Sequence, residues 1–296
     1  MPSAQSPFDD PLLYDWEYRR RRDDVRFYRT LAGERGGPVL DLGCGTGRLM
    51  LPLLRDGHVV VGVDRARPML KRAAGRVARL RAELRRRALL VRGDLRALPV
   101  AKRWFSFAVA AFHTIQHCES DRELLQFFRG AAAALVPGGW LAFDTFAPTR
   151  RFVERRGPSA PTRFRDPGSG RATIYTESHV LDGRVLAMTF RYQPVGRGAK
   201  RARAVSLRHR LVQPREIEAL LARAGLKLIA SWGSFDGRPL DPDEGERSEQ
   251  HIYLARIEHT KTRNSERTTK RKTRNETKNE TRNETKNSAT RRVGSK

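Results

Sequence analysis

The sequence predicts an α/β protein built on a doubly wound parallel sheet. Three apolar segments each end in an acidic residue, at Asp41, Asp64 and Asp94. Segments of helical length lie between them, and strands that alternate with helices indicate a parallel sheet with helices on both faces. Glycines in the spacing Gly-x-Gly-x-Gly follow the first acid over residues 43–47. This pattern predicts a buried strand that enters a tight turn before a helix, with a ligand close to the turn backbone.

The glycine-rich turn also narrows the choice of ligand. A dinucleotide-binding loop has the spacing Gly-x-Gly-x-x-Gly, and a phosphate-binding P-loop ends in Gly-Lys-Ser/Thr. Residues 43–47 fit neither pattern, and no basic residue stands where a pyrophosphate needs one. The carboxylate of Asp41 repels phosphate but suits a ligand with positive charge. S-adenosylmethionine has an ammonium, a sulfonium and no phosphate, so it matches this turn.

Later segments continue the alternation of strands and helices. The further strand candidates are residues 59–64, 89–95, 105–112 and 135–144. A long basic helix is predicted over residues 67–88. Two more helices are predicted, one after Ser120 with Glu123 completing a capping-box pattern, and one beginning at Pro214. In a nucleoside-binding sheet of this type, an acid at the tip of the second strand accepts hydrogen bonds from ribose hydroxyls, which assigns that role to Asp64.

Together these segments resemble the class I S-adenosylmethionine-dependent methyltransferases of the small-molecule type. The resemblance rests on Asp-Leu-Gly-Cys-Gly-Thr-Gly at residues 41–47, on the two later acids and on Pro-Gly-Gly at residues 137–139, and it covers residues 10–257. It implies a Rossmann-like seven-stranded sheet whose last two strands, Leu226–Trp232 and residues 251–257, form an antiparallel edge hairpin. It also implies S-adenosylmethionine as the cofactor.

The resemblance assigns individual positions to the cofactor. Asp94 is expected near the adenine amino group, and Met69 is expected to pack on the adenine face. Residues 10–30 are predicted to form an amphipathic helical lead-in, from which Tyr14 approaches the methionine end. The alternative is that Tyr14 only packs this helix on the core. The predicted cofactor-binding residues are Tyr14, Asp41, Gly43, Gly45, Gly47, Asp64, Arg65, Met69, Asp94, Leu95 and Phe112.

A segment at about 150–212 separates the fifth strand from the next helix. Alternating patterns at residues 172–180, 184–192 and 204–212 predict a small inserted antiparallel β cap. Similar inserts in small-molecule methyltransferases roof the active site and shape the substrate pocket. Basic residues outnumber acids in this segment, which favours an anionic or carboxylate-bearing acceptor. A general excess of arginine in the chain explains the same count equally well.

Methyl transfer from a sulfonium is an in-line displacement whose leaving group, a neutral thioether, needs no proton. The protein therefore contributes orientation, proximity and exclusion of water, and it needs a base only when the acceptor arrives protonated. His113 and His117 follow the fourth strand and are the predicted catalytic residues. The alternative is a role in packing or in starting the next helix. No metal is expected, because this i, i+4 pair lacks the glutamate of a His-Glu-x-x-His site.

Composition bounds the cellular setting. The 296-residue chain has a formal net charge of +26 and two cysteines, Cys44 and Cys118. No signal peptide or membrane-spanning run is recognised, so a cytoplasmic protein is expected. Arginine dominates before residue 260, as in a genome-wide bias, so specific nucleic-acid binding is not expected. The methyltransferase domain is predicted over residues 1–259. Residues 260–296 repeat Arg/Lys-Asn-Glu-Thr and are predicted to form a disordered, low-complexity basic tail.

The prediction from sequence is therefore an enzyme that transfers a methyl group from S-adenosylmethionine to N or O of a small molecule. The Asn/Asp-Pro-Pro-Tyr/Phe motif of base-amino methyltransferases is absent at residues 112–115. The layout is loosely similar to glycine/sarcosine and amino-sugar N-methyltransferases. The alternatives are an RNA or protein methyltransferase that docks through its basic surface, and a non-catalytic S-adenosylmethionine-binding protein. The sequence does not determine the acceptor or the oligomeric state.

Overall fold

A computed structural model describes residues 6–155, 157–198, 201–240 and 249–258 of the chain. Within these residues the strands are β1 (Val39–Leu42), β2 (Val60–Asp64), β3 (Ala88–Arg92), β4 (Phe105–Ala110), β5 (Leu135–Phe146), β6 (Thr162–Arg165), β7 (Ala172–Asp182), β8 (Val185–Pro194), β9 (Arg203–Arg210), β10 (Leu226–Trp232) and β11 (Gln250–Ile257). The helices are α1 (Pro11–Glu17), α2 (Asp23–Arg35), α3 (Met50–Arg55), α4 (Arg67–Val77), α5 (Ala82–Arg86), α6 (Asp121–Ala134), α7 (Arg150–Glu154) and α8 (Pro214–Arg223). Short 3-10 turns are formed by Pro7–Asp9 and Thr114–His117.

The larger sheet has seven strands in the order β10-β11-β5-β4-β1-β2-β3. Strands β1 to β5 pair in parallel, whereas β11 runs antiparallel to both β5 and β10. The predicted Rossmann-like α/β fold with an antiparallel edge hairpin is therefore confirmed. The strand order reverses at β1, which lies between β4 and β2. Doubly wound sheets bind ligands in the crevice outside the carboxyl ends of the strands at such a point.

Helices cover both faces of this sheet, which explains the apolar runs in the sequence. All four residues of β1 are buried. Leu40 and Leu42 belong to the core cluster that includes residues of α6 and α8. Val39 belongs to the cluster formed with α2 and α3. Successive side chains of a strand point to opposite faces, so a strand covered on both sides is apolar throughout. Asp41 is the polar exception within it.

The β cap is a separate antiparallel sheet in the order β6-β7-β8-β9, which confirms the predicted inserted sheet. Its inner face forms a small core with Leu13 of α1, and that core is centred on Leu186, Phe190 and Tyr192. The sequence prediction missed β6 and α7. Strand β6 has four residues, of which only Phe164 is buried, so its alternation is too short to stand out. The cap and the larger sheet are thus joined by α1.

Two helix predictions were wrong in their extent. The single lead-in predicted over residues 10–30 is divided into α1 and α2, because α1 turns to pack Leu13 on the β cap. The long helix predicted over residues 67–88 ends at Val77, and the short α5 follows. Leu80 packs into the core between them, and the chain must turn there so that Ala88 can pair with Val60. Neither break carries a proline, so the sequence did not mark it.

Two predictions concern the surroundings of the fold. In the part of the chain that the structure describes, no helix is both long enough and apolar enough to cross a bilayer. The tail predicted over residues 260–296 lies outside the described residues. Cys44 and Cys118 are both buried free thiols.

A first prediction compares Gly62, in the interior of the larger sheet, with Gly75, on the exposed surface of α4. A Cβ on Gly62 of β2 would lie 2.8 Å from the sulfur of Cys44, whereas a Cβ on Gly75 of α4 meets nothing within 4 Å. Gly62→Ala should therefore lower the free energy of unfolding by about 1–3 kcal/mol through overpacking. Gly75→Ala should raise it by about 0.5–1 kcal/mol through helix propensity. Denaturant unfolding measures both, and a gain or no loss in Gly62→Ala contradicts the packing described here.

Candidate active site

A cavity of about 390 Å³ lies at the carboxyl ends of the central strands, between the glycine-rich turn, α1 and the β cap. It brings together all but one of the predicted site residues. Those that line it are Tyr14, Asp41, Gly43, Gly45, Asp64, Arg65, Met69, Asp94, Leu95, Phe112, His113 and His117. The exception is Gly47, which lies behind the turn, where a Cβ would contact Ala73 and Leu51.

The glycine-rich turn needs its glycines for backbone geometry. Gly43, Gly45 and Gly47 all have positive φ, at 77°, 54° and 79°. Side chains other than glycine rarely adopt this region. A Cβ on Gly43 would also lie 2.7 Å from a side-chain carbon of Thr114. The turn therefore passes close beneath the loop after β4, and it leaves backbone atoms of Gly43 and Gly45 on the cavity surface.

Asp41 provides a buried acid at the floor of the cavity. Its exposure is 2%, and its Oδ2 atom has no hydrogen-bond partner among the described residues. Burial raises the pKa of Asp41 to about 7, against the opposing attraction of Arg48 and a hydrogen bond from the backbone of Met50. An unpaired buried carboxylate oxygen costs free energy. A cationic ligand in the cavity would supply the missing partner.

Asp64 links the first two strand tips. One carboxylate oxygen accepts the N–H of Gly45 at 2.8 Å, and the other accepts the N–H of Ala66 at 2.8 Å. Burial raises the pKa of Asp64, although both hydrogen bonds oppose the shift. Each oxygen has a second lone pair, so the carboxylate can also accept hydroxyl groups of a ligand. Asp64 therefore holds the glycine-rich turn in place while lining the cavity.

Asp94 differs from the other two acids because it is partly exposed and already paired. Arg96 donates to both of its oxygens, at 2.6 and 2.9 Å, and also contacts Glu123. These hydrogen bonds hold the pKa of Asp94 at about 2. The side chain is ionised at neutral pH and lies at the cavity wall beside Leu95. The sequence analysis did not assign a role to Arg96.

The loop after β4 has an unusual backbone. Phe112 and His113 have positive φ, at 63° and 61°. Their N–H groups both donate to the carboxylate of Asp144 at 2.9 Å, and the hydroxyl of Tyr28 donates to it at 2.6 Å. Asp144 is thus a buried acceptor for three donors. Asp144 lies in β5, so its carboxylate holds the loop after β4 against the neighbouring strand.

The two predicted catalytic histidines have different surroundings. His113 is buried beneath Phe112, and its Nε2 atom lies 3.0 Å from Oε1 of Gln250. Burial lowers the pKa of His113, although Asp144 opposes the shift. Burial also lowers the pKa of His117, to about 4, with Arg65 adding to the effect. Both imidazoles are therefore neutral near pH 7 and can accept a hydrogen bond or a proton.

Two arginines that the sequence analysis passed over flank the ring of Phe112. The guanidinium carbons of Arg21 and Arg48 lie 5.1 and 4.9 Å from the ring centre. Arg48 is also paired with the buried Asp24, with Nη1 of Arg48 at 2.8 Å from Oδ1. Both arginines line the cavity beside the glycine-rich turn. The position of Arg48 directly after Gly47 is the one sequence signal that could have drawn attention to it.

Helix α1 closes one side of the cavity. Tyr14 lines the cavity, and burial raises its pKa to about 12, so the phenol stays protonated. Its neighbour Asp15 accepts the hydroxyl of Thr46 at 2.6 Å and Nε of Arg72 at 2.9 Å. Trp16 points instead to the β cap, with its ring 4.3 Å from that of Phe164. Of the two roles considered for Tyr14, the structure places it on the cavity side.

The β cap supplies the wall opposite the glycine-rich turn. The residues of the insert that line the cavity are Phe152, Tyr175, Glu177, Met188, Phe190, Leu207 and His209. Glu177 accepts the hydroxyl of Tyr175 at 3.1 Å and is paired with Arg155 at 3.3 Å. Among the described residues of the insert, no arginine or lysine lines the cavity. The basic character read from composition does not extend to the inner face of the cap.

A metal centre has no support in the described residues. No group of three or more His, Cys, Asp and Glu side chains within them is arranged to hold a metal ion. The cavity instead combines a glycine-rich turn, acids at three strand tips, aromatic side chains and neutral imidazoles. The fold is Rossmann-like, and the composition of this cavity suits a nucleoside-containing, cationic cofactor.

Comparison with known proteins supports one enzyme class. The profile of the family described as "Methyltransferase domain" matches residues 39–139. A cypemycin N-terminal methyltransferase from Streptomyces sp. is 29% identical over 204 residues, which are 69% of this chain and 78% of that protein. An uncharacterized methyltransferase from Geobacillus kaustophilus is 32% identical over 137 residues, and the match spans 44% of this chain and 57% of that protein. These matches support a class I S-adenosylmethionine-dependent methyltransferase, and the predicted enzyme class and cofactor are confirmed.

Solved structures share the fold. The CcbJ methyltransferase from Streptomyces caelestis superposes with a TM-score of 0.69 at 23% identity, covering 86% of this chain and 99% of that one. CalS10, described as an amino pentose methyltransferase from Micromonospora echinaspora and solved with S-adenosylmethionine bound, gives a TM-score of 0.64 at 20% identity. That match covers 83% of this chain and 96% of CalS10.

A second prediction concerns the buried carboxylate that holds the loop after β4. Asp144→Asn should lower the free energy of unfolding by about 1.5–3 kcal/mol, because the amide nitrogen faces a donor that the carboxylate accepted. Tyr28→Phe removes one of the three donors and should cost about 1 kcal/mol. Asp23→Asn changes an exposed acid on α2 and should stay within about 0.5 kcal/mol of the wild type. Denaturant unfolding of the three variants checks this order, and equal effects in Asp144→Asn and Asp23→Asn rule out the network.

Proposed function

We propose that this methyltransferase transfers a methyl group from S-adenosylmethionine to the nitrogen of a small amine. The proposal rests on one observation, the composition of the cavity. Its floor carries an unpaired buried carboxylate oxygen at Asp41, and its roof carries aromatic rings beside Glu177. The first suits the amino-acid portion of the cofactor, and the second suits a cationic acceptor. Both belong to the same cavity, as a direct transfer between two bound molecules requires.

In the proposed complex the amino-acid portion of the cofactor lies near the glycine-rich turn. Its ammonium pairs with Asp41, whose Oδ2 atom would gain a partner. Its carboxylate pairs with Arg21, because the guanidinium of Arg48 is already bonded to Asp24. Tyr14 covers this end from α1. Charge-assisted hydrogen bonds of this kind are stronger than those between neutral groups.

The adenosyl portion lies along the second and third strand tips. Asp64 accepts the ribose hydroxyls through the lone pairs that Gly45 and Ala66 leave free. Met69 is buried next to the turn and offers a flexible apolar surface to the adenine ring. Asp94 and Leu95 lie at the opposite wall of the same space. In this arrangement Gly47 supports the turn from behind.

The acceptor lies beneath the β cap. The charged side chains that line this part of the cavity are Glu177 from the cap and Glu249 beside β11. Glu177 is paired with Arg155 at 3.3 Å, but only the carboxylate of this pair lines the cavity, and together with the aromatic rings it favours a cationic amine over the carboxylate-bearing acceptor that composition suggested. The relatives named for their acceptors agree with this choice, since one is an N-terminal methyltransferase and one an amino pentose methyltransferase. A hydroxyl acceptor is the second candidate, because Glu177 and His117 can also accept its hydrogen bond.

The protein then needs to perform two tasks. It must hold the acceptor nitrogen in line with the methyl–sulfur bond, and such positioning can supply about 7–11 kcal/mol of the barrier reduction. It must also leave the nitrogen lone pair free of a proton, since an ammonium cannot attack the methyl carbon. His113 and His117 are the residues that the sequence predicted for this task, and both imidazoles are neutral near pH 7. The closed cap keeps water from the sulfonium.

Experiments distinguish this proposal from the remaining alternatives, which are docking on a macromolecule and cofactor binding without catalysis. Docking on RNA would make catalysis fall steeply with salt, because released counterions carry that binding. The arginines of the β cap that would serve it lie outside the cavity. A non-catalytic protein would bind the cofactor without turnover.

A third prediction uses the pKa of Asp41. Since burial raises that pKa to about 7, the carboxyl is largely protonated at pH 5 in the free protein and cannot pair with an ammonium. The affinity for S-adenosylhomocysteine should therefore rise with pH, roughly tenfold per unit below pH 7, and then level off. The stability of the free protein should change in the opposite direction and fall between pH 4 and 7, because the folded state retains the proton.

Calorimetric titration of the wild type and of Asp41→Asn tests this prediction. The variant should bind at least tenfold more weakly at pH 8 and should lose the pH dependence. Asp23→Asn is the matched control and should keep both. A wild-type affinity that is constant from pH 5 to 8 removes Asp41 from the cofactor site.

A fourth prediction concerns the acceptor. Incubation with methyl-labelled S-adenosylmethionine and a metabolite extract should place the label on nitrogen bases.

For the acceptor found in this way, Glu177→Gln should lower kcat/KM at least tenfold, because it removes the charge but keeps an oxygen that accepts the hydroxyl of Tyr175. Its affinity for S-adenosylhomocysteine should stay within twofold. Glu83→Gln, on the exposed surface of α5, is the control and should change neither value. Label found only on hydroxyl or carboxylate oxygens would overturn the choice of an amine.

A further inference from the structure

His209 of β9 is a buried imidazole to which neither the sequence motifs nor the comparisons assign a role. It lines the cavity with an exposure of 5%. Its ring centre lies 5.1 Å from that of His117 and 5.7 Å from that of His113. Its Nδ1 atom is buried and has no hydrogen-bond partner among the described residues. A buried polar atom without a partner is unusual, and here it belongs to a residue on the wall of a ligand cavity.

One side chain fixes His209 opposite His117. Gln116 is 1% exposed, and its Nε2 atom donates to the carbonyl oxygens of Arg210 and Phe146, both at 3.0 Å. Its Oε1 atom accepts the N–H of Phe146 at 2.7 Å. Gln116 precedes His117 in the chain, and Arg210 follows His209. A single amide therefore ties the turn that carries one imidazole to the strand that carries the other.

A second contact holds the same strand from outside. The guanidinium of Arg210 forms an ion pair with Asp121 at the start of α6. Gln116 and Arg210 thus fix the end of β9 to the part of the molecule that contains the larger sheet. The β cap as a whole packs through α1, but this end of it is bonded directly to the loop after β4. A side chain that accepts a proton during catalysis requires rigid support of this kind.

We propose that His209 is the residue that accepts the proton of the acceptor nitrogen, that His117 completes the pair, and that Gln116 positions both. The proposal rests on the amine acceptor proposed above. In the step, an ammonium R–NH3+ gives one proton to the imidazole of His209, and the acceptor nitrogen keeps the electron pair of the broken N–H bond. That pair then forms the N–C bond to the methyl group. The C–S bond breaks, and its electrons remain on sulfur as a neutral thioether.

The surroundings keep His209 neutral in the free protein. Burial lowers the pKa of His209 well below its ordinary value, and His117 and His113 add to the shift. The ring is therefore neutral at pH 7, and its unpaired nitrogen is an acceptor. Arg65 also lines the cavity, and its charge lowers the pKa of His117 in the same direction.

Sinefungin tests this inference without knowledge of the acceptor. In this cofactor analogue a carbon that bears an amino group replaces the methylsulfonium, so a cationic N–H donor points to the acceptor side. S-adenosylhomocysteine lacks the donor but has the same amino-acid and adenosyl portions. The ratio of the two affinities therefore reports the groups that face the transferred methyl, and the pH effect of Asp41 cancels in it.

Calorimetry should show tighter binding of sinefungin than of S-adenosylhomocysteine to the wild type at pH 8. His209→Phe should reduce sinefungin affinity about tenfold and leave S-adenosylhomocysteine within twofold. Gln116→Leu should act in the same direction through loss of positioning. His58→Asn and Gln126→Leu are the matched controls outside the cavity and should leave the ratio unchanged. In the wild type, the ratio of the sinefungin affinity to the S-adenosylhomocysteine affinity should also fall as the pH is lowered through the pKa of His209.

The outcomes separate the two proposals. If neither ligand binds the wild type, the cofactor arrangement under the proposed function is wrong. If both bind but the ratio is the same in His209→Phe, the role of His209 is overturned. Nitrogen NMR of labelled histidines in the unmodified protein gives a readout that does not depend on folding of a variant. The ring-nitrogen signals of His209 should shift with sinefungin and not with S-adenosylhomocysteine, and equal shifts contradict the proposal.

Discussion

The geometry of the cavity depends on the carboxylate of Asp144 at the tip of β5. It accepts hydrogen bonds from the hydroxyl of Tyr28 and from the N–H groups of Phe112 and His113. The backbone of Phe112 and of His113 adopts a left-handed conformation with positive φ. Each such residue costs of order 1–3 kcal/mol, and it persists only where its surroundings hold it. The three hydrogen bonds to a buried charge offset that cost. They also set where the 3-10 turn with Gln116 begins, and so where the cap is attached.

Helix α1 extends this constraint to the other side of the cavity. Asp15 bonds to Thr46 within the glycine-rich turn, while Glu17 accepts the hydroxyl of Tyr192 in the β cap. Burial raises the pKa of Glu17 to about 7. One helix of seven residues therefore contacts both halves of the molecule. The cavity is formed by three elements far apart in sequence, the turn after β1, α1 and the cap, and each is fixed to at least one of the others.

The sequence predicted the parts of this site that follow from local chemistry. The turn at residues 43–47 and the acids at Asp41 and Asp64 are visible because strand tips and glycine spacing are local patterns. His209 and Gln116 were not predicted, because their importance comes from contacts across about a hundred positions of the chain. A buried histidine in an alternating strand has no local signature. The breaks after α1 and α4 were missed for the same reason, since packing and strand register cause them.

Net charge was the least informative feature of the sequence, and the structure explains why. The formal charge of +26 belongs to the whole chain, whereas each residue of the site acts within a few ångströms. Inside the molecule, arginines are partners of acids, as Arg48 is of Asp24 and Arg96 is of Asp94. Such pairs cancel locally, and salt screens the exposed remainder beyond about 8–10 Å. Glu177 is likewise paired with Arg155, but unlike the arginines of the cap it lines the cavity, so it is the charged side chain of the cap that can contact the proposed acceptor.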